Sequence, residues 1–162
     1  ERRSIRLAWT MLWMNHFWMV LAIAENENFA ATEIGIYLSG VLFFGTLGWG
    51  LISWMTQRYG DLGLYGYQGY VRQHPLVAFL FLLAVLGLIG FPISPTFVGE
   101  DLLFSHIHED QFVLAFLAAL AFVMEGVAAI RIYARLFLGT VPESTIDSHS
   151  ASLPTANTKK IA

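Results

Sequence analysis

Five ionisable side chains lie in or beside apolar sequence: His16, Glu100, Asp101, His106 and Glu125. His16 sits in WTMLWMNHFWMVL, Glu100 and Asp101 in FVGEDLLF, and Glu125 in AFVMEGVAA. Carboxyl and imidazole groups take up and release protons, and they are costly to keep in apolar surroundings, so such groups read first as functional. Glu100 is the leading candidate. The positive end of a helix dipole favours its anion while loss of water favours the acid, and a group near that balance can load and release a proton. Each residue also has a plainer role: Asp101 as a helix cap, Glu125 paired with a base on a neighbouring helix, His16 as a packing residue or a pigment or haem ligand. The run His106, His108, Glu109, Asp110 has metal-binding types. On a helix, however, His106 and His108 point to different faces and only His106 with Asp110 can share a cation, so no metal site is expected.

The elements that carry these groups follow from the distribution of apolar residues. Of 162 residues 56% are hydrophobic and only 13% charged, against about 25% charged in an ordinary soluble domain. Four apolar stretches run from Ile5 to Ala24, Ile34 to Met55, Leu76 to Phe91 with a continuation to Ile107, and Phe112 to Leu138. At about 1.5 Å per residue the first, second and fourth can each cross roughly 30 Å of hydrocarbon. No period-two alternation appears, and bare strands would leave backbone groups unpaired in lipid, so these are helices. The expected fold class is all-α: a polytopic membrane protein with four transmembrane segments, the third discontinuous, over residues 1–140. Residues 141–162 form a polar and mobile or docking tail. Glu at position 1 marks the chain as processed or as a piece of a longer polypeptide; Arg2, Arg3 and Arg6 before the first apolar run imitate a signal peptide, but a retained membrane helix is the simpler reading.

The third stretch, LGLIGFPISPTFVGEDLLFSHIHED, is punctuated by Gly90, Pro92, Pro95 and Gly99. Each proline removes a backbone donor and disfavours helix in the residue before it, so the helix must break there. With apolar sequence resuming at Phe97, Glu100 and Asp101 are expected in the first turn of a second half-helix. A break inside a membrane is tolerated only where protein or water covers the backbone, and it commonly lines an ion or substrate path. Counting rise per residue puts His16 about 16 Å from Ile5, Glu125 about 20 Å inward from Phe112 and Glu100 about 10 Å from Ile107. This series predicts a relay from Glu125 and His16 over a gap of roughly 10 Å to Glu100, bridged by waters, and out near His106 and His108.

The region from Asp61 to Leu138 resembles the C-terminal part of the antiporter-like subunits of respiratory complex I and their relatives, the Mrp-type cation/proton antiporters and membrane hydrogenases. The residues that carry the resemblance are Asp61-Leu62, Tyr65 to Tyr70 and Arg72 to Pro75, then LGLIGFPISPTFVGEDLLF, then a helix ending Arg131-Ile132-Tyr133-Ala134-Arg135-Leu136-Phe137. The middle block is similar to the family's discontinuous twelfth helix, and Glu100 falls where the family has a Lys or Glu that hands protons toward the outer face. The family's upstream Lys–Glu pair, central lysine and histidine-bearing stretch are absent, so the chain is expected to be part of a channel rather than a whole one. The Gly-Phe-Pro and Glu-Asp wording leans toward the antiporter-like subunit of energy-coupled inorganic-carbon transporters.

The resemblance implies partners in the lipid bilayer, in other membrane subunits and in a soluble or peripheral coupling subunit. Arginines fall on alternate sides of the segments, which places both termini in the cytoplasm of a bacterial plasma membrane. Net charge of −3 with no basic face excludes nucleic acid, and the absence of cysteine removes thiol chemistry and cysteine metal sites. Lacking a phosphate loop, a nucleophile triad or a dinucleotide fingerprint, the chain is expected to carry no cofactor and no covalent chemistry. The rival expectations are a non-conducting structural or assembly subunit and a pigment- or haem-binding subunit.

Overall fold

The structure, a computed structural model, describes residues 4–24, 31–105, 107–108 and 110–139. His106, Glu109 and the expected tail 141–162 lie outside the described residues. Five α-helices follow in order: α1 Ile5–Ala24, α2 Ala31–Tyr59, α3 Pro75–Leu88, α4 Pro95–Ser105 and α5 Phe112–Phe137, with a 3-10 turn at Tyr70–Arg72 before α3. No strand is present among the described residues beyond the single bridge between Ser4 and Gly63. The fold is all-α.

Two of the helices, α2 and α5, are long and apolar enough to cross a membrane. At 20 residues α1 is shorter than either. Large apolar side chains such as Phe112, Val113, Met124 and Val127 on α5 and Phe43 on α2 are more than half exposed. So extensive an apolar surface fits burial in lipid or against other subunits rather than contact with water.

The core sits where α2 packs against α1, α3 and α4, and α5 packs against α1 and α3. Small residues on α2 make the close approach possible. A Cβ on Gly40 would meet the Thr96 backbone nitrogen at 2.6 Å, one on Gly45 the Trp13 indole at 2.3 Å, and one on Gly48 the Trp9 ring at 2.1 Å. The Trp9 indole N–H donates to the Gly45 carbonyl at 3.0 Å, a polar tie in an otherwise apolar contact. Gly35 and Gly50, on the outer face, meet nothing within 4 Å, so they take no part in this packing.

At one end of the bundle the segment from Gly60 to His74 ties three helices together. Arg6 pairs with Asp61 at 3.4 Å, Gln68 N–H donates to the Arg135 carbonyl at 3.0 Å, and Gly69 N–H to the Leu138 carbonyl at 3.1 Å. The Arg135 guanidinium lies 4.7 Å from the Tyr67 ring centroid. In the same segment burial, and secondarily Tyr59, pushes the Tyr70 phenol above its ordinary range.

Helix α3 ends at Leu88 and α4 begins at Pro95, with a turn between them that Gly90 enters at φ +73°, a conformation that favours glycine. The order of punctuation is as expected, but two of the four residues assigned to the break belong to the helix. Pro95 is the first residue of α4, and Gly99 lies inside it. The reason is Ser94: its Oγ accepts the Phe97 N–H at 3.2 Å and donates to the Phe91 carbonyl at 2.8 Å. A serine cap followed by proline in the first helical position starts the helix two residues earlier than the apolar run suggests. Glu100 is therefore in the second turn, not the first, where the helix dipole acts more weakly. Asp101 is exposed and caps nothing, since α4 begins six residues before it.

Candidate functional site

The polar residues of the interior meet at one level of the bundle. On α1, Trp9, Trp13 and His16 recur at helical spacing, so the two indoles that seat on the α2 glycines turn His16 toward α2 as well. On α2 the corresponding side chain is Tyr37. His16 Nδ1 and Tyr37 Oη are 2.6 Å apart and both residues are fully buried. The other ring nitrogen, Nε2, lies against Glu125 Oε1 on α5, a contact that is an ion pair only when the imidazole is protonated. Glu125 is 3% exposed, and its second oxygen accepts the Asn15 side-chain N–H at 2.7 Å. Three helices thus contribute one group each to a buried chain, Glu125–His16–Tyr37, with Asn15 holding the free carboxylate oxygen.

This chain leads toward Glu100. Gly99 packs so tightly on Tyr37 that a Cβ there would lie 2.5 Å from both Cα and Cβ of the tyrosine. Glu100 is the next residue, and its carboxyl group lies over Gly90, where a Cβ would meet Oε2 at 2.1 Å and Oε1 at 2.7 Å. The glycine that turns the chain between α3 and α4 also makes room for the acid. Glu100 Oε1 is buried without a hydrogen-bond partner among the described residues. Tyr37 interacts electrostatically with both Glu100 and Glu125, and the two carboxyl groups with each other.

On the opposite side of Glu125 a cavity of about 470 Å³ opens between α1 and α5. Asn15 and Glu125 line it, apolar walls come from Met11, Leu12, Ala128 and Ile132, and Arg131 and Arg135 line it as well, toward the C-terminal end of α5. The groove therefore brings Glu125 within reach of that end of the bundle, while Tyr37 brings the same group toward α4.

Of the residues the sequence nominated, His16 and Glu125 are brought into direct contact, while Glu100 lies over Gly90, next to the Gly99 that packs on Tyr37. Asp101 and His108 are exposed. His16 touches both Glu125 and Tyr37, and Gly99, beside Glu100, packs on Tyr37. Sequence reasoning did not single out Tyr37 or the bond from Asn15. A tyrosine on the glycine-bearing face of α2, in register with Gly40 and Val41, was the available signal, since a phenol buried on a packing face needs a polar partner.

No family model matches the chain. Among curated proteins it is similar to NADH-ubiquinone oxidoreductase chain 4 of Dictyostelium citrinum, 39% identical over 74 residues that make up 46% of this chain and 18% of that protein. Subunit M of NADH-quinone oxidoreductase from Rickettsia prowazekii is 32% identical over 126 residues, 73% of this chain and 25% of that protein. Subunit N of NADH-quinone oxidoreductase from Moorella thermoacetica is 29% identical over 132 residues, 70% of this chain and 28% of that protein. The chain spans well under a third of the length of these relatives. Three differently named subunits of one kind of complex match one chain, and the chain belongs to the family of antiporter-like membrane subunits of complex I.

Proposed function

We propose that the chain is part of a proton (or sodium) translocating antiporter-like membrane subunit within a larger energy-coupling complex. The observation that carries this reading is the row of titratable side chains, the buried Glu125 and His16 through to the half-buried Glu100, that begins at a groove and ends beside a break between two helices. In this reading α1, α2 and α5 each cross the bilayer and α3 with α4 makes one discontinuous crossing, its exposed backbone covered by the surrounding helices. A proton enters through the groove from the Arg131 and Arg135 end, passes Glu125 and His16 to Glu100, and leaves past His108 and His106. Arginines near the ends of the helices support both termini on the cytoplasmic side of a membrane, which we take to be a bacterial plasma membrane.

The names of the relatives describe oxidation of NADH with a quinone. We take the respiratory branch for this chain in preference to the inorganic-carbon branch, with other membrane subunits and a peripheral coupling subunit as partners. The energy comes from elsewhere in that complex, because the groups in this chain exchange protons and do no redox chemistry.

One observation favours a second reading. Both oxygens of Glu125 are engaged, one by His16 and one by Asn15, as a purely structural tie between α1 and α5 would be. The discriminating measurement is proton flux in proteoliposomes containing the intact complex, native against Glu100→Gln. Loss of flux from a fully assembled complex is the expected result; unchanged flux leaves the structural or assembly role.

A further inference from the structure

We propose that Tyr37 is the hydroxyl that carries a proton between His16 and Glu100, so that the imidazole and the acid are joined through a switchable hydrogen bond and one bridging water. This rests on the relay reading above. Its basis is the geometry around one phenol. Tyr37 Oη is 2.6 Å from His16 Nδ1, its ring is fully buried, and its backbone is pressed against Gly99, the residue before Glu100. The titratable groups facing it are His16 from α1, Glu125 from α5 and Glu100 from α4; α3, of sequence PLVAFLFLLAVLGL, supplies none.

The donor and acceptor rules leave the phenol two states. When His16 is neutral with its Nε2 hydrogen turned to Glu125, Nδ1 is an acceptor and the Tyr37 O–H must donate to it. When His16 is protonated both ring nitrogens are donors, Nδ1–H points at Tyr37 Oη, and the phenol hydrogen has to turn elsewhere. Glu100 is the acidic acceptor on α4, and its Oε1 is among the buried oxygens without a hydrogen-bond partner. Transfer then runs in one concerted step through a bridging water. The Nδ1–H bond of His16 breaks as its proton bonds to Tyr37 Oη, the Tyr37 O–H proton passes to the water, and the water gives one of its own to the Glu100 carboxylate. Imidazolium becomes neutral imidazole, carboxylate becomes carboxylic acid, and tyrosine ends as a phenol with its hydrogen facing His16. No charge is created or lost.

Tyr37→Phe keeps the ring against Gly99 and removes only the hydroxyl. In the intact complex in proteoliposomes we expect proton flux to fall by about tenfold or more, within the range that positioned proton carriers contribute. The infrared carboxylic-acid band that Glu100→Gln removes should also cease to respond to the protonation state of His16, a signature that a packing role would not alter. Native flux in Tyr37→Phe, with flux abolished in Glu100→Gln, overturns the role of Tyr37 and leaves the relay standing. Native flux in Glu100→Gln overturns both. Should Tyr37→Phe fail to assemble, ring-deuterated tyrosine in the unaltered complex decides: a tyrosine C–O band that shifts on proton loading and is lost in His16→Gln supports the proposal, and a band that does not shift overturns it.

Discussion

Two acids lie in the interior of this bundle, and they are held in opposite ways. Glu125 has one oxygen hydrogen-bonded by Asn15 and the other in close contact with His16 Nε2, without a regular hydrogen bond there, in an arrangement that joins α1 to α5. Glu100 lies over a glycine at the turn between α3 and α4, with one buried oxygen left without a protein partner. A buried charge is tolerated when it is paired and its remaining lone pairs are bonded, whereas an unpaired one retains the full cost of its desolvation. One acid therefore contributes to the stability of the bundle, while the other is kept at a cost to it. A group that stability alone would discard is the one whose retention needs a function.

The comparison breaks most visibly at the paired site. His16→Leu leaves the Glu125 carboxyl buried against an apolar side chain, and removing one partner of a buried pair costs about 3–5 kcal/mol. Chemical unfolding of the purified complex in detergent should show a loss of that size. The double variant His16→Leu with Glu125→Leu removes both charges and should recover much of the loss, since apolar residues of similar volume replace a buried pair at little net cost. A double variant no more stable than the single one would mean that the pair does not hold α1 to α5.

A smaller effect probes what keeps the unpaired acid in place. Helix α4 is pressed onto α2 at Gly40, where a Cβ would lie 2.6 Å from the backbone nitrogen of Thr96. Backbone cannot swing aside as a side chain does, so Gly40→Ala must part the two helices, and overpacking of this kind costs about 1–3 kcal/mol. Because α4 carries Glu100 and Gly99 together, the same variant should loosen Tyr37 against Gly99 and expose the acid. Unchanged stability with an unchanged accessibility of α4 to a water-soluble thiol reagent, read at an introduced Asp101→Cys, would show that the contact is not tight.

These contrasts show what could be read from residues alone. The bounds of α1 follow directly from an uninterrupted apolar run, and the break before α4 from Gly90 and Pro92, because both are local effects of backbone chemistry. Ser94-Pro95 is just as local, a cap followed by a first-turn proline, yet the apolar pattern outweighed it and the start of α4 was set two residues late. The meeting of His16 with Glu125 was not legible: 109 positions separate them, and nothing in either segment fixes which face of α1 meets which face of α5. That face is set by Trp9 and Trp13 seating on Gly45 and Gly48, a shape match between distant segments. Tyr37 was missed for the same reason, as its role depends on neighbours from three other helices.

The cap itself offers a modest test on the side of the unpaired acid. Ser94→Ala removes the bonds to Phe97 N–H and the Phe91 carbonyl, and loss of a serine cap costs about 1 kcal/mol. The first turn of α4 should fray, raising hydrogen exchange at Phe97 and Val98 while leaving α1 and α5 protected as before. Protection lost equally across α5 would mean that the break and the paired site unfold as one unit, and the two regions could not be set against each other.

The smallest expected effect is the most telling. Glu100→Gln keeps the length and shape of the side chain over Gly90 and replaces a carboxyl that has an unbonded buried oxygen with a neutral amide. If Glu100 were held by bonds as Glu125 is, the exchange would weaken the bundle by an amount comparable to His16→Leu. If it is held against the interest of stability, the exchange costs nothing or yields a gain of up to about 1 kcal/mol, because the group removed contributed no bond to lose. Unfolding of Glu100→Gln and Glu125→Gln in parallel therefore orders the two acids directly. The first should match or exceed the native complex while flux disappears, and the second should fall clearly below it. An inverted order would assign the structural role to Glu100 and leave Glu125, at the floor of the groove, as the acid to follow.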